Sequence, residues 1–262
     1  FVLTGLDKEG IQPREEQFKL RVPHHTWKGE AQWKSFSLNE LGLKKVNRFS
    51  MKRISFSNTG TWSTKEYAPV GLLENVETGT SLFWQIEHNG SWNWEISDIQ
   101  NYLYLYVSGP SEAENHWWKN LKPGEKFETV PVAVGSVKGD YENAITALTH
   151  YRRQIRREND DNKNLPVIFN DYMNCLFADP TTEKEIPLID AAAEAGCEYY
   201  CIDAGWYADG SWWDGVGEWL PSEKRFPGGI KEPLNYIREK EMIPGLWLEL
   251  EVMGVNCPLV EK

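Results

Sequence analysis

A chain of 262 residues that is 40% hydrophobic and 26% charged, with a formal net charge of −11, is long enough for one large domain or two ordinary ones. The charge is uneven: residues 163–262 hold 8 Lys/Arg against 18 Asp/Glu, whereas residues 1–162 hold 20 against 21. An acidic second half argues against a nucleic-acid partner, which needs a basic face, and no stretch reaches the roughly 20 apolar residues of a membrane-spanning helix.

Residues 1–140 read as a large antiparallel β-sandwich. Segments 17–22, 49–57, 81–88, 102–108 and 126–135 are rich in aromatic and β-branched residues. Turn signals such as Asn58-Thr-Gly60, His88-Asn-Gly90 and Lys122-Pro-Gly124 separate them. Eight of the thirteen tryptophans fall here. Trp92-Asn-Trp94 and Trp117-Trp118 suit either a buried sandwich core or a surface platform for a flat ligand. His24-His25 has no third ligand at metal spacing, so no metal site is expected.

Residues 141–164 read as a linking helix and turn. Ala144, Leu148, Tyr151 and Ile155 recur at three- and four-residue spacing, and a polar run follows. From 165 to 262 the pattern alternates: strand 166–170, helix 182–195, strand 199–203, helix 231–241, strand 242–251. Apolar strands alternating with helices predict a parallel sheet. No glycine-rich phosphate loop follows the first strand, so no nucleotide cofactor is expected. Cys175, Cys197, Cys201 and Cys257 fit no metal or redox spacing. They read as free thiols of a reducing compartment, which favours a cytoplasmic location.

The stretch 199–229 carries the chemistry. It opens as a short strand ending in Asp203, then runs through Trp206, Trp212, Trp213 and Trp219 with Asp209, Asp214 and Glu218 among them. Indole faces cover the C–H faces of sugars and carboxylates accept pairs of hydroxyl donors, so carbohydrate is the expected ligand. Alternation puts Tyr199, Cys201 and Asp203 on one face of the second strand. On the third it puts Leu246, Leu248 and Leu250 toward the helices and Trp247, Glu249 and Glu251 on the opposite face. Polar and aromatic groups then converge from three strand ends: Asn170, Asp171 and Tyr172, next Asp203 and Trp206, and last Trp247 and Glu249.

These residues resemble a known family. Ile202-Asp-Ala-Gly-Trp-Tyr207, Gly217-Glu-Trp219, Arg225-Phe-Pro-Gly-Gly229 and Gly245-Leu-Trp-Leu-Glu-Leu-Glu251 stand in the order of four linked motifs of glycoside hydrolase family 36, the bacterial α-galactosidases. The resemblance implies that residues 165–262 are the first three strands and two helices of a (β/α)8 barrel, an incomplete one. It implies a retaining hydrolase of terminal α-galactosides without cofactor, acting on oligosaccharide or glycoside, with homo-oligomerisation through the sandwich. It makes Asp203 a contact to sugar hydroxyls and Trp247 a wall against the ring, with Trp206, Glu249, Asn170, Tyr172 and Trp219 shaping the same pocket. It places the nucleophile and the acid/base beyond Lys262, so no catalytic residue is expected here. Asp203 with Glu249 or Glu251 is the competing pair within the chain. Two departures matter: Ala204 stands where the family has a second Asp, and the first-strand motif is Asn170-Asp-Tyr-Met-Asn174. An α-N-acetylgalactosaminidase or another α-glycosidase of the clan is therefore an alternative, as is a non-catalytic carbohydrate-binding module.

Overall fold

The structure is a computed structural model that describes residues 1–6, 17–44, 46, 49, 51–100, 102–213 and 215–260. Asp214 lies outside the described residues. The chain divides into two units, Phe1–Arg156 and Arg157–Lys262.

The first unit is built from two antiparallel sheets. One has four strands in the order β1 (Val2–Leu3), β8 (Tyr102–Ser108), β7 (Trp92–Ile99), β4 (Met51–Asn58). The other has five, in the order β3 (Gln32–Ser37), β2 (Phe18–His24), β5 (Val70–Asn75), β6 (Thr80–Ile86), β9 (Val132–Lys138). Their inner faces share one core, with Phe18, Leu20, Val22, Trp84 and Ile86 from the five-stranded sheet against Trp92, Trp94, Ile96, Leu103, Leu105 and Val107 from the other. Trp84 and Trp94 meet edge to face across it, centroids 5.0 Å apart, a favoured aromatic geometry. A one-turn helix α1 (Glu112–Asn115) precedes the last strand.

Helix α2 (Tyr141–Ile155) covers the outer face of the five-stranded sheet, burying Ala144 and Leu148 against Val70, Leu72 and Phe83. Asp140 caps its first turn in a reciprocal capping box with Asn143. β5 is thus buried on both faces, which explains why it reads as a continuous apolar run rather than an alternating one.

The tryptophans decide between the two alternatives for their place in the sandwich. Trp92 and Trp94 are fully buried core residues, so that pair forms no surface platform, whereas Trp118 is 64% exposed. Strands β3, β5 and β7 were not among the expected segments, and the expected strand at 126–135 begins only at Val132. Gly71 lies opposite Trp84 in the β5–β6 ladder, and a Cβ there would come 2.3 Å from Trp84 Cζ2. Gly71→Ala is accordingly expected to cost roughly 1–3 kcal/mol by overpacking, read as a lower midpoint in urea; an unchanged midpoint would mean that Trp84 has room to move.

The second unit opens with the single turn α3 (Asp161–Asn164). Its centre is the parallel sheet β10 (Ile168–Asn170), β11 (Tyr199–Ile202), β12 (Ile243–Leu246), in sequence order. Helices α4 (Thr182–Glu194) and α5 (Lys231–Glu239) close one face. Ile189, Ala192, Ile237 and Met242 pack there on Tyr200 and Ile202, all nearly inaccessible. The other face is open: Ile168 and Ile243 are 60% and 52% exposed with Tyr199 between them, and Cys201 lies further along the same face between Asn170 and Gly245. All four cysteines are free thiols.

Several boundaries differ from expectation: β10 begins at Ile168 rather than 166, and α4 and α5 end at Glu194 and Glu239 rather than 195 and 241. Thr181 caps α4 by accepting from the Lys184 N–H. β12 ends at Leu246, not at 251, because its partner strand β11 ends at Ile202, whose carbonyl takes a last bond from the Trp247 N–H at 3.0 Å. Beyond that point the strand alternation lapses. Leu248 and Leu250 are 49% and 77% exposed and do not pack on the helices as expected.

Candidate functional site

The open strand ends of the second unit bring most of the expected residues together. Asp203 directly follows β11. Its two carboxylate oxygens are each engaged once: Oδ2 accepts from Asn170 Nδ2 at 2.6 Å and Oδ1 from the Ala204 N–H at 2.7 Å. A carboxylate offers about four acceptor sites, so Asp203 keeps capacity for hydroxyl donors. Asn170 Oδ1 in turn accepts the Tyr172 N–H at 2.9 Å. The main chain of Asp203 is fixed from behind, its N–H donating to Asp171 Oδ1 at 2.7 Å.

The sharp turn after Asp203 depends on Gly205. Its φ is +101°, and a Cβ would come 2.4 Å from the Ala178 carbonyl oxygen. Only glycine meets both conditions, and the turn delivers Trp206 beside Asp203.

Aromatic rings form a connected set here. Trp206, 3% exposed, stacks on Trp219 at 6.2 Å and donates its indole N–H to the Trp247 carbonyl at 3.1 Å. Trp219 and Trp212 each meet Trp247 edge-on, at 6.0 and 5.7 Å. Tyr172 joins through Trp212 at 6.1 Å and stacks on Phe177 at 4.9 Å. Trp219 holds a φ of +57°, unusual for a bulky residue and worth roughly 1–3 kcal/mol of strain. Its contacts with Trp206, Tyr207 and Trp247 keep it there.

Glu249 follows Trp247 outside regular structure. Burial, then the neighbouring Glu251, raises its carboxyl above the ordinary value. Two residues that pattern reading did not single out belong to this region. The Tyr207 hydroxyl is buried without a hydrogen-bond partner. Burial raises it, as do the charges of Glu249 and Asp203. Glu185 on α4 is fully buried beneath Asp171. Its signal was legible, since with Ile189 and Ala192 it occupies an otherwise apolar helical stripe.

Asp209 and the Arg225-Phe-Pro segment are scaffolding. Arg225 donates to Asp179 at 2.6 Å and to the Ala208 carbonyl, Asp209 takes the Ser222 hydroxyl, and Phe226 is buried in the core. Among the described residues, no group of three or more His, Cys, Asp or Glu could hold a metal.

Comparison with known proteins places this arrangement. The Melibiase family model matches residues 127–262. Alpha-galactosidase 1 of Pediococcus pentosaceus is 27% identical over 214 residues, 78% of this chain and 28% of its own length. Alpha-galactosidase Mel36A of Lactobacillus acidophilus is 26% identical over 235 residues, 86% of this chain and 31% of its own. The chain thus spans about three tenths of these relatives. The fold superposes on a variant of the family 36 alpha-galactosidase AgaA from Geobacillus stearothermophilus, crystallised with raffinose, with a TM-score of 0.76 at 17% identity over 94% of this chain and 33% of that one. The motif resemblance to glycoside hydrolase family 36 is therefore borne out, and the chain belongs to the Melibiase family.

Proposed function

We propose that this chain supplies the sugar-holding part of a retaining glycoside hydrolase acting on terminal α-galactosides. The observation that carries the reading is Asp203, a carboxylate with spare acceptor capacity at the C-terminal end of a parallel strand, beside the Trp206–Trp219–Trp247 wall. C-terminal strand ends are where (β/α)8 barrels keep their active sites. In this reading β10, β11 and β12 are the first three strands of such a barrel, and the open sheet face is turned to its lumen. Relatives named alpha-galactosidases and a raffinose complex of AgaA support an oligosaccharide substrate. A retaining mechanism needs a second pair of carboxyls about 5–5.5 Å apart. The family resemblance assigns that pair to segments after Lys262, and Asp203 and Glu249 to binding. The test is a panel of aryl α-glycosides with the full-length protein; α-galactoside turnover supports the proposal, and turnover of none sinks it.

A second reading, preference for an N-acetylated galactoside, rests on Ala204. The residue is 2% exposed and offers a methyl where the resembled family has a carboxylate. Ala204→Asp is expected to shift kcat/KM toward unsubstituted α-galactoside by roughly 10- to 100-fold, the worth of one charge-assisted hydrogen bond of about 1.5–3 kcal/mol. An unaltered preference between galactose and N-acetylgalactosamine substrates would show that position 204 does not set specificity.

A further inference from the structure

Behind Asp203 lies a buried carboxyl pair that the sugar-holding reading does not use. Asp171, just after β10, is 2% exposed, and Glu185 of α4 is fully buried. One oxygen of each is accounted for: Asp171 Oδ1 accepts the Asp203 N–H at 2.7 Å, and Glu185 Oε2 accepts the Tyr200 hydroxyl at 2.6 Å. The remaining oxygens, Asp171 Oδ2 and Glu185 Oε1, are buried and meet no hydrogen-bond donor. The two carboxyls neighbour one another, and their orphaned oxygens can satisfy each other only with a proton between them.

We propose that Glu185 is a positioning residue for the site: as a neutral acid it donates to Asp171, and the relay Tyr200–Glu185–Asp171 fixes the main chain of Asp203. Its functional meaning rests on the reading of Asp203 as a sugar contact, but the relay itself does not.

The neighbouring groups agree. Burial, the largest cause for each, raises both carboxyls, Glu185 up to about 9, so the pair holds a proton near pH 7. The ionisable groups facing the pair are Tyr200 and Cys201 on β11, Cys175 in the turn after β10, and Asp203. Burial holds Tyr200 and both thiols above their ordinary values, Cys201 up to about 11, so all three are neutral near pH 7. Only Asp203 adds charge, and its sign opposes ionisation of the pair.

Linkage gives the pH signature. Unfolded, Glu185 ionises near its ordinary 4.5; folded, near about 9. Below that window both states hold the proton. Within it only the folded state does, so this group's contribution to stability falls as pH rises. Glu185→Gln, a neutral isostere that still donates to Asp171 and accepts from Tyr200, should remove that slope.

The experiment uses the full-length protein with isotope-edited infrared spectroscopy and hydrogen exchange at the Asp203 amide. Near pH 7 the native protein should show the carbonyl band of a protonated glutamic acid, absent from Glu185→Gln. Exchange at Asp203 should be unchanged in Glu185→Gln and at least roughly tenfold faster in Glu185→Leu, the equivalent of one lost hydrogen bond. Galactose affinity should follow the same order. Absence of the acid band, or native-like exchange in Glu185→Leu, overturns the relay. Failure of the native protein to bind galactose, with both signals present, overturns only the sugar reading. If Glu185→Leu does not fold, Glu185→Gln still decides through the band and the stability slope.

Discussion

Asp203→Asn in the full-length protein should lower kcat/KM on an α-galactoside by roughly 10²- to 10⁴-fold. Each hydrogen bond from a sugar hydroxyl to a carboxylate is worth about 1.5–3 kcal/mol, two such bonds bring the loss to roughly 3–6 kcal/mol, and each 1.36 kcal/mol is about tenfold. The substitution keeps the side chain's shape but removes its charge. It also places an NH₂ group opposite Asn170 Nδ2 or the Ala204 N–H, both of which need an acceptor. The main-chain anchor to Asp171 is untouched, so stability should move by less than about 1 kcal/mol. That separation makes the measurement decisive: activity lost with the melting temperature retained places Asp203 against the substrate. Asp209→Asn is the control from the same loop, since Asp209 ties down Ser222. Native activity in Asp203→Asn would remove this residue from the pocket.

The legible parts of this fold are those where one local rule decides. Strands β10 and β11, helices α4 and α5, and the placing of Asp203 at a strand end follow from alternation and helical spacing in an apolar background. Beyond Leu246 that logic fails, because strand length is set by the partner: β11 stops at Ile202 and its neighbour must stop with it. In the sandwich, Trp92-Asn-Trp94 alternates as a one-sided strand should, and both indoles are fully buried. The same pattern on a surface would read identically, and only the opposing sheet, supplying Trp84, decides between them. β5 was hidden for the opposite reason, since helix α2 on its second face erases the alternation.

At the site, pattern reading found the residues that face outward and missed those that hold them. Asn170, Asp203, Trp206, Trp219 and Trp247 announce themselves as polar or aromatic groups at strand ends. Glu185 announces only its burial, through the helical stripe it shares with Ile189 and Ala192, while its role depends on Asp171 and Tyr200 arriving from other strands. Tyr207 is similar: its unpartnered hydroxyl acquires meaning only beside Glu249 and Asp203.

Trp206→Ala should be the most damaging change in the second unit, because that side chain serves core and site together. It is 3% exposed within the cluster formed by Ile189, Tyr200, Ile202, Phe226 and Ile237. Truncating a buried Trp typically costs about 3–5 kcal/mol. It also removes the indole N–H from the Trp247 carbonyl and the stacking surface from Trp219. Trp219 would then lack one of the contacts that hold its positive φ, and the wall would loosen as a unit. Trp206→Phe divides the two roles. It retains most of the packing but leaves the Trp247 carbonyl without its donor, a loss of about 0.5–1.5 kcal/mol. Denaturant midpoints of the full-length variants should therefore fall steeply for Ala and slightly for Phe, with KM for raffinose raised in both. Equal midpoints for the two variants would mean that the hydrogen bond, not the packing, is what Trp206 contributes; a native KM in Trp206→Phe would mean that Trp247 holds its place without it.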